Sequence, residues 1–273
     1  MNILNKESNN IILIMAGGLG KRMNSELPKV LHKVNNKPMI IYILENALKI
    51  NPYKILIIVG KYKQIIEETI SLYIDDNITK NIQYILQQEP KGTGHAIICA
   101  KKVFKENRKK NVLILSGDTP LVDEKLMYEM LDNLLNFKIC TTCIEKPHGY
   151  GRIINYYDNE TNKKYTKIVE QKDCNENEIN TNIINCGIYS FRIDLLITYL
   201  HMLTNNNNQN EYYLTDLIEI ITTREDFNVE ILKISTDQNY KVLGVNTIQQ
   251  LKEIETLLNN LYIHESFENI TMY

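Results

Sequence analysis

Nowhere in the 273-residue chain do about 18 apolar residues run together, so the sequence offers no helix able to cross a membrane. It also lacks a dominant charge. With 31 Lys and Arg against 33 Asp and Glu, the net charge is −2, which removes the electrostatic case for nucleic acid or an anionic membrane as partner. An even set of cysteines is missing too. The five, at Cys99, Cys140, Cys143, Cys174 and Cys186, are scattered, which suits a reducing compartment better than a disulfide framework. Cys140 and Cys143 have C-x-x-C spacing, but no second pair follows at metal-site distance. They lie in an apolar, strand-like stretch (138–147), so buried thiols are expected there rather than zinc or redox chemistry. The apolar run Ile11–Met15 is too short for the core of a secretory signal and leads straight into glycines; a cytoplasmic protein is expected. A hexapeptide repeat of the kind that builds a parallel β-helix is absent as well.

What is present is a globular pattern. At 44% hydrophobic and 23% charged residues the chain can bury a sizeable core, and residues 1–273 are expected to form one domain. Buried strands are expected at Ile11–Met15, Ile55–Val59, Ile82–Leu86 and Val112–Ser116. Between and after them, helical spacing marks Lys37–Ile50, Tyr62–Ile74, Thr93–Phe104 (with Thr93 as a candidate cap) and Glu124–Leu135. Strands apolar on both faces, alternating with helices, predict a largely parallel sheet covered on each side. After about residue 138 the pattern changes. Gly151–Tyr157 and Lys164–Val169 alternate with period two around turn residues Asp158–Asn162, predicting a hairpin, and helical spacing returns at Ile193–Leu203, Leu214–Thr223 and Thr247–Ile263. The expectation is an α/β, Rossmann-like, mostly parallel mixed sheet flanked by helices, with a β-hairpin excursion.

The sharpest local signal is Met15-Ala16-Gly17-Gly18-Leu19-Gly20-Lys21-Arg22, directly after the first strand. Small residues there let backbone N–H groups approach phosphates that a Cβ would keep away. A Walker loop is excluded by Met15, where it needs glycine, and by Arg22, where it needs Ser or Thr. A dinucleotide fingerprint fails at Met23 and at Gly60-Lys61, where a small and an acidic residue belong. What remains is a glycine turn followed by Lys21-Arg22 and, soon after, Pro28-Lys29. Fixed cations beside such a turn suit a triphosphate attacked at its α-phosphorus; a plain βα turn with solvated Lys and Arg is the other reading.

Asp118 follows a strand end, where ligands collect in an open α/β sheet, and a carboxylate there suits a magnesium ion shared with phosphate and water. Asp-Thr-Pro is also ordinary turn chemistry. Asn246 ends a strand-like segment ahead of the last helix, a capping position that Thr247 fills as well; nothing local makes it a ligand. Glu170 reads, by itself, as an exposed strand carboxylate. His32, His95, His148, His201 and His264 show no metal spacing. The first two are expected to form local hydrogen bonds near the site, and Tyr212 and Tyr213 fit either packing or a pocket wall.

MAGGLGKRMNSELPKVLHKVNNKPMI (15–40) resembles the uridylyltransferase half of the bacterial bifunctional N-acetylglucosamine-1-phosphate uridyltransferases. The resemblance continues in order through LQQEPKGTGHA (86–96), SGDTPL (116–121), GYGRI (149–153), IVEQKD (168–173), INCGIY (184–189), NEYYLTD (210–216) and GVN (244–246). It implies a sugar-nucleotidyltransferase whose backbone at Met15, Ala16, Gly17 and Gly18 holds the nucleotide while Arg22 and Lys29 neutralise phosphates. Gln87, Gly92 and Thr93 are implied to recognise uracil; Ser116, Gly117 and Asp118 to lie along ribose and metal; Gly151, Glu170 and Asn185 to hold the sugar; and Asp118 with Asn246 to share Mg2+. The family more often has Tyr at the position of Ser116. Glu178-Ile179-Asn180-Thr181 imitates the sugar-binding motif without its glycine, so Asn185-Cys186-Gly187 is the better match. The family's acetyltransferase β-helix has no counterpart in this sequence, so acetyl transfer is not expected.

The implied reaction is in-line attack of N-acetylglucosamine 1-phosphate on UTP, forming UDP-N-acetylglucosamine and pyrophosphate, with no covalent enzyme intermediate. Rival readings are a glucose 1-phosphate uridylyl- or thymidylyltransferase, and a silent regulator that binds UDP-sugars.

Overall fold

A computed structural model of the chain describes residues 8–270 except 19, 24 and 160–162, with only the backbone of Lys21 and of 261–270. Its order begins β1 (Asn10–Met15), β2 (Lys33–Val34), β3 (Lys37–Pro38), α1 (Met39–Lys49), β4 (Lys54–Val59), α2 (Lys63–Ser71) and α3 (Asp76–Thr79). It continues with β5 (Ile82–Leu86), α4 (Thr93–Cys99), α5 (Lys101–Glu106), β6 (Asn111–Ser116), α6 (Glu124–Leu131), β7 (Phe137–Cys143), β8 (Arg152–Asp158) and β9 (Lys163–Val169). The described part ends with β10 (Ile183–Arg192), α7 (Ile193–Tyr199), α8 (Asp216–Thr222), β11 (Glu230–Lys233) and α9 (Ile248–Ile270).

Among the described residues nine strands form one mixed sheet in the order β11-β7-β10-β6-β1-β4-β5, with the β8–β9 hairpin attached to β10. β1, β4, β5 and β6 are parallel, while β10 runs antiparallel to β6, β7 and β8. The continuous apolar strands follow from helices on both faces. Ile12 and Ile14 of β1 pack into one core with Ile40 and Leu44 of α1 and Leu126 of α6; Ile11 and Leu13, one residue out of phase, enter the other with Ile97 of α4 and Leu217 of α8. Each such fully buried side chain contributes about 1.5–3 kcal/mol relative to exposure.

A third, smaller cluster holds Met23, Val34 and Met39 against Val245, Ile254 and Leu258. It ties the segment after the glycine turn to the start of α9, and so joins two ends of the chain at the site described below.

Several elements are shorter than the spacing predicts. Lys37 and Pro38 belong not to a helix but to a small hairpin with β2, turned by Asn35 and Asn36 at φ +46° and +63°, and α1 starts after Pro38. The expected Thr93–Phe104 helix is broken at Ala100 into α4 and α5, and its cap is Gly92, not Thr93. Thr93 Oγ1 instead accepts from the backbone N–H of Leu214 (3.1 Å), stitching α4 to the approach of α8. The helices after Tyr62, Glu124, Ile193 and Leu214 also end or start within the expected ranges, and the edge strand β11 carries no sequence pattern strong enough to announce it. The hairpin of β8 and β9 is present; positions 160–162 of its turn lie outside the described residues.

Candidate active site

β1 and β6 end side by side, Met15 opposite Ser116, with parallel β4 and β5 on one side and antiparallel β10 on the other. Two adjoining cavities open there, at the carboxyl ends of the strands. The first, about 290 Å³, is walled by Gly17, Gly18, Lys29, Gln87 and Gly92. The second, about 210 Å³, is walled by Tyr150, Gly151, Glu170, Asn185, Thr215 and Asn246. Met15, Thr93, Ser116 and Asp118 line both, so they stand at the junction.

Three far-apart segments converge on that junction. Lys29 Nζ donates to Asp118 Oδ2 and, at 2.7 Å, to Asn246 Oδ1; Arg22 Nη2 donates to the same Asn246 oxygen at 2.9 Å. The Lys29 and Asp118 side chains are only 14% and 15% exposed, so this cation stands in reduced dielectric. Asn246 is free to face the site because Thr247 caps α9: Thr247 Oγ1 accepts from Gln250 N (3.2 Å), while Gln250 Oε1 accepts from Asn246 N (2.7 Å). Gly20, at φ +60°, lets the turn fold onto Lys29, whose Cβ would stand 3.0 Å from any Cβ added there. Leu19 and the Lys21 side chain lie outside the described residues.

In the first cavity the Gln87 amide nitrogen donates to the carbonyl of Gly92 (3.0 Å) and stands 3.1 Å from His95 Nδ1. Gly92 has φ +102°, and a Cβ there would meet the Tyr212 carbonyl at 2.5 Å; glycine is required on both counts. In the second cavity a register shift in β10 between Asn185 and Tyr189 turns Asn185 into the wall, where its side chain bonds Tyr189 Oη (2.6 Å) and Gly187 N (3.1 Å). Glu170 is not an exposed strand carboxylate. It follows β9 into the cavity and accepts from Thr215 Oγ1 at 3.1 Å; burial, with Asp173 and Glu211 nearby, raises its pKa despite that bond.

Three implied site residues are placed differently from the rest. The Ala16 N–H is donated to Ile58 O (2.8 Å) and the Gly117 N–H to Met15 O (2.9 Å), and neither residue lines either of these two cavities. Arg22 also lies outside both walls and reaches the junction only through Asn246. The imitation motif at 178–181 lies apart from the cavities, with Glu178 paired to Lys167 (2.8 Å). Tyr213 is packed, its hydroxyl between Gln209 (2.7 Å) and Asp173 (3.2 Å). Thr215 and Tyr150, which the sequence reading passed over, do line the second cavity; the NEYYLTD and GYGRI blocks held them both.

Cys140 is buried and Cys143 half-buried, and among the described residues no three His, Cys, Asp or Glu side chains are grouped to hold a metal. Nor is any helix among them long and apolar enough to cross a membrane.

The model of the nucleotidyl transferase family matches residues 11–238. The chain belongs to that family. As a nucleotidyl transferase it shares 36% identity over 250 residues with a probable UDP-N-acetylglucosamine pyrophosphorylase of Acanthamoeba polyphaga mimivirus, covering 90% of this chain and 95% of the relative. It is 38% identical over 264 residues to the bifunctional protein GlmU of Clostridium botulinum (strain 657 / Type Ba4); that match covers 95% of this nucleotidyl transferase but only 54% of the relative, about half its length. Among solved structures, UDP-glucose pyrophosphorylase complexed with UDP-glucose superposes with a TM-score of 0.68 over 92% of this chain and 98% of that one. At 18% identity this likeness concerns the fold. The nucleotidyl transferase fold here is the mixed, open, helix-flanked sheet described above.

Proposed function

We propose that this nucleotidyl transferase is a uridylyltransferase that forms UDP-N-acetylglucosamine and pyrophosphate from UTP and N-acetylglucosamine 1-phosphate. The observation that carries the reading is the pair of adjoining cavities meeting at Asp118, with Lys29, Arg22 and Asn246 gathered on one side. The names of relatives at 36–38% identity favour the N-acetylglucosamine pair of substrates.

In this reading the nucleotide occupies the first cavity. The Gln87 amide and the Gly92–Thr93 backbone meet uracil, and the glycine turn, Lys29 and Arg22 meet the phosphates. The sugar lies in the second cavity against Gly151, Glu170 and Asn185. An oxygen of the sugar phosphate attacks the α-phosphorus in line; that P–O bond forms as the bond to the β-phosphate bridging oxygen breaks, and pyrophosphate leaves with the electron pair. The nucleophile is already anionic, so no side chain has to remove a proton. Catalysis is positioning plus neutralisation of charge on the phosphate oxygens.

Magnesium fits the residues present. Asp118 and Asn246 offer one carboxylate and one amide oxygen, hard donors that already share a cation in the form of the Lys29 ammonium. Two protein oxygens leave the other positions to phosphate and water, as is usual for this ion. When bound, it supplies charge neutralisation at the phosphates. Asp118 and Asn246 would hold it, and Lys29 and Arg22 would then be free for the phosphates.

The test is pyrophosphate release across UTP, dTTP and CTP, each paired with N-acetylglucosamine 1-phosphate and with glucose 1-phosphate, in the presence of Mg2+. Turnover highest for UTP with the N-acetylated sugar is expected. Higher turnover with glucose 1-phosphate, or tight UDP-sugar binding with no turnover for any pair, overturns the reading.

A further inference from the structure

Resting on the uridylyl reading, we infer that His95 selects the base by fixing which end of the Gln87 amide faces it. A carbonyl only accepts hydrogen bonds, so the atom of Gln87 facing the Gly92 carbonyl at 3.0 Å must be the amide nitrogen. That nitrogen carries a second hydrogen, and His95 Nδ1 lies 3.1 Å away. For both hydrogens to be satisfied, Nδ1 must present its lone pair, which puts the histidine proton on Nε2. Gln87 is 7% exposed, so an orphaned N–H here would be costly, and the two acceptors together hold the amide in one orientation.

The consequence lies at the other end of the group. Among the described residues nothing donates to Gln87 Oε1, yet this oxygen is not among the atoms sealed from solvent without a partner. It lies over the glycine turn, 3.2 Å from where a Cβ of residue 17 would stand, in the wall of the first cavity. The cavity therefore presents a fixed acceptor to the base. Uracil offers a donor, its N3–H, flanked by two carbonyls; cytosine offers a lone pair at N3. An acceptor held outward pairs with the first and opposes the second. A Gln87 without fixed partners could turn its amide over to suit either base; the Gly92 carbonyl and His95 Nδ1 together hold it to one choice, and His95 is the side chain of that pair. His95 touches no substrate atom in this arrangement. It is a positioning residue, set in the first turn of α4 with its ring tilted against that of Tyr212 at 6.3 Å between centroids.

The experiment compares wild type, His95→Phe and His95→Asn, each first shown to melt near the wild-type temperature. Phe keeps the ring and removes the acceptor; Asn restores an acceptor close to the position of Nδ1. UTP and CTP binding is measured by calorimetry without sugar phosphate, and KM, kcat and the UTP-over-CTP preference by pyrophosphate release. His95→Phe should weaken UTP binding and raise its KM by about tenfold, change kcat less than about twofold, and narrow the UTP-over-CTP preference by a similar factor, as for one lost hydrogen bond. His95→Asn should recover most of each loss. A wild type without preference for UTP sinks the uridylyl reading and the inference with it. With that preference present, a His95→Phe variant that keeps both KM and preference sinks the inference alone. Equal losses in both variants do the same, since they mark a packing role.

Discussion

Lys29 takes part in two hydrogen bonds that span 89 and 217 residues of sequence, and both end on groups expected to hold a metal. A half-buried ion pair contributes little to stability once desolvation is counted, so in the proposed reaction its use lies in the charge it offers the phosphates. Replacing Lys29 or Arg22 by Ala should lower kcat/KM by about 2–4 kcal/mol of transition-state stabilisation, read as the initial rate of pyrophosphate release. Wild-type rates in either variant would remove that side chain from the chemistry. Asp118→Asn should raise the Mg2+ concentration needed for half-maximal rate, and an unchanged titration would exclude the carboxylate as a ligand. Lys29, Arg22 and Asp118 were legible because each sits beside a local signal: a glycine turn or a strand end. Asn246 was not. Its partners are more than 200 residues away, and a contact at that distance leaves no trace in local spacing, so only the resemblance to a family pointed to it. The same blindness concealed the Ala16 N–H, spent on a neighbouring strand that the motif itself does not contain.

At the scale of elements, the buried strands and the hairpin were readable because period and apolarity are written into each segment. Helix ends were not, since they depend on tertiary partners. Thr93 looks like a cap, yet its hydroxyl serves the backbone before α8, and Gly92 takes the capping position. The reason is crowding: Gly92 and Gly94 both run against the backbone of 212–213, where no side chain fits. Gly92→Ala should therefore cost about 2–4 kcal/mol of stability through strain and overpacking, measured by urea unfolding. It should also raise the KM for UTP, because the Gly92 carbonyl anchors Gln87. A variant as stable as wild type would show that the contact between α4 and the 212–213 segment yields freely.

For the molecule as a whole, folding brings Asp173, Asp216 and Glu219 near Glu170, which stands in the wall of the second cavity. Burial first, then Glu170, Glu219 and Asp173, push the Asp216 carboxyl up to about 6 from an ordinary 3.8, and Glu170 is raised in the same direction, by burial first. A folded-state pKa above the unfolded value means that the native protein keeps a proton the unfolded chain has released, so stability falls as pH rises from about 4 to about 6 and stays lower above that. Unscreened, the Asp216 difference would amount to about 3 kcal/mol; water on its open side reduces this to about 1 kcal/mol. Asp216 lies in the first turn of α8, where a negative charge gains about 0.3–1 kcal/mol from the helix dipole, so the burial term must exceed that gain for the charge to be a net cost. Asp216→Asn should then be more stable than wild type in urea above pH 6, by about 1 kcal/mol or somewhat less, with the advantage disappearing near pH 4. If the variant and wild type keep the same difference at every pH, the carboxylate is not strained by its neighbours. A gain confined to the higher pH would mark the carboxylate cluster around Glu170, beside the second cavity, as a place where stability is given up to hold acidic groups together.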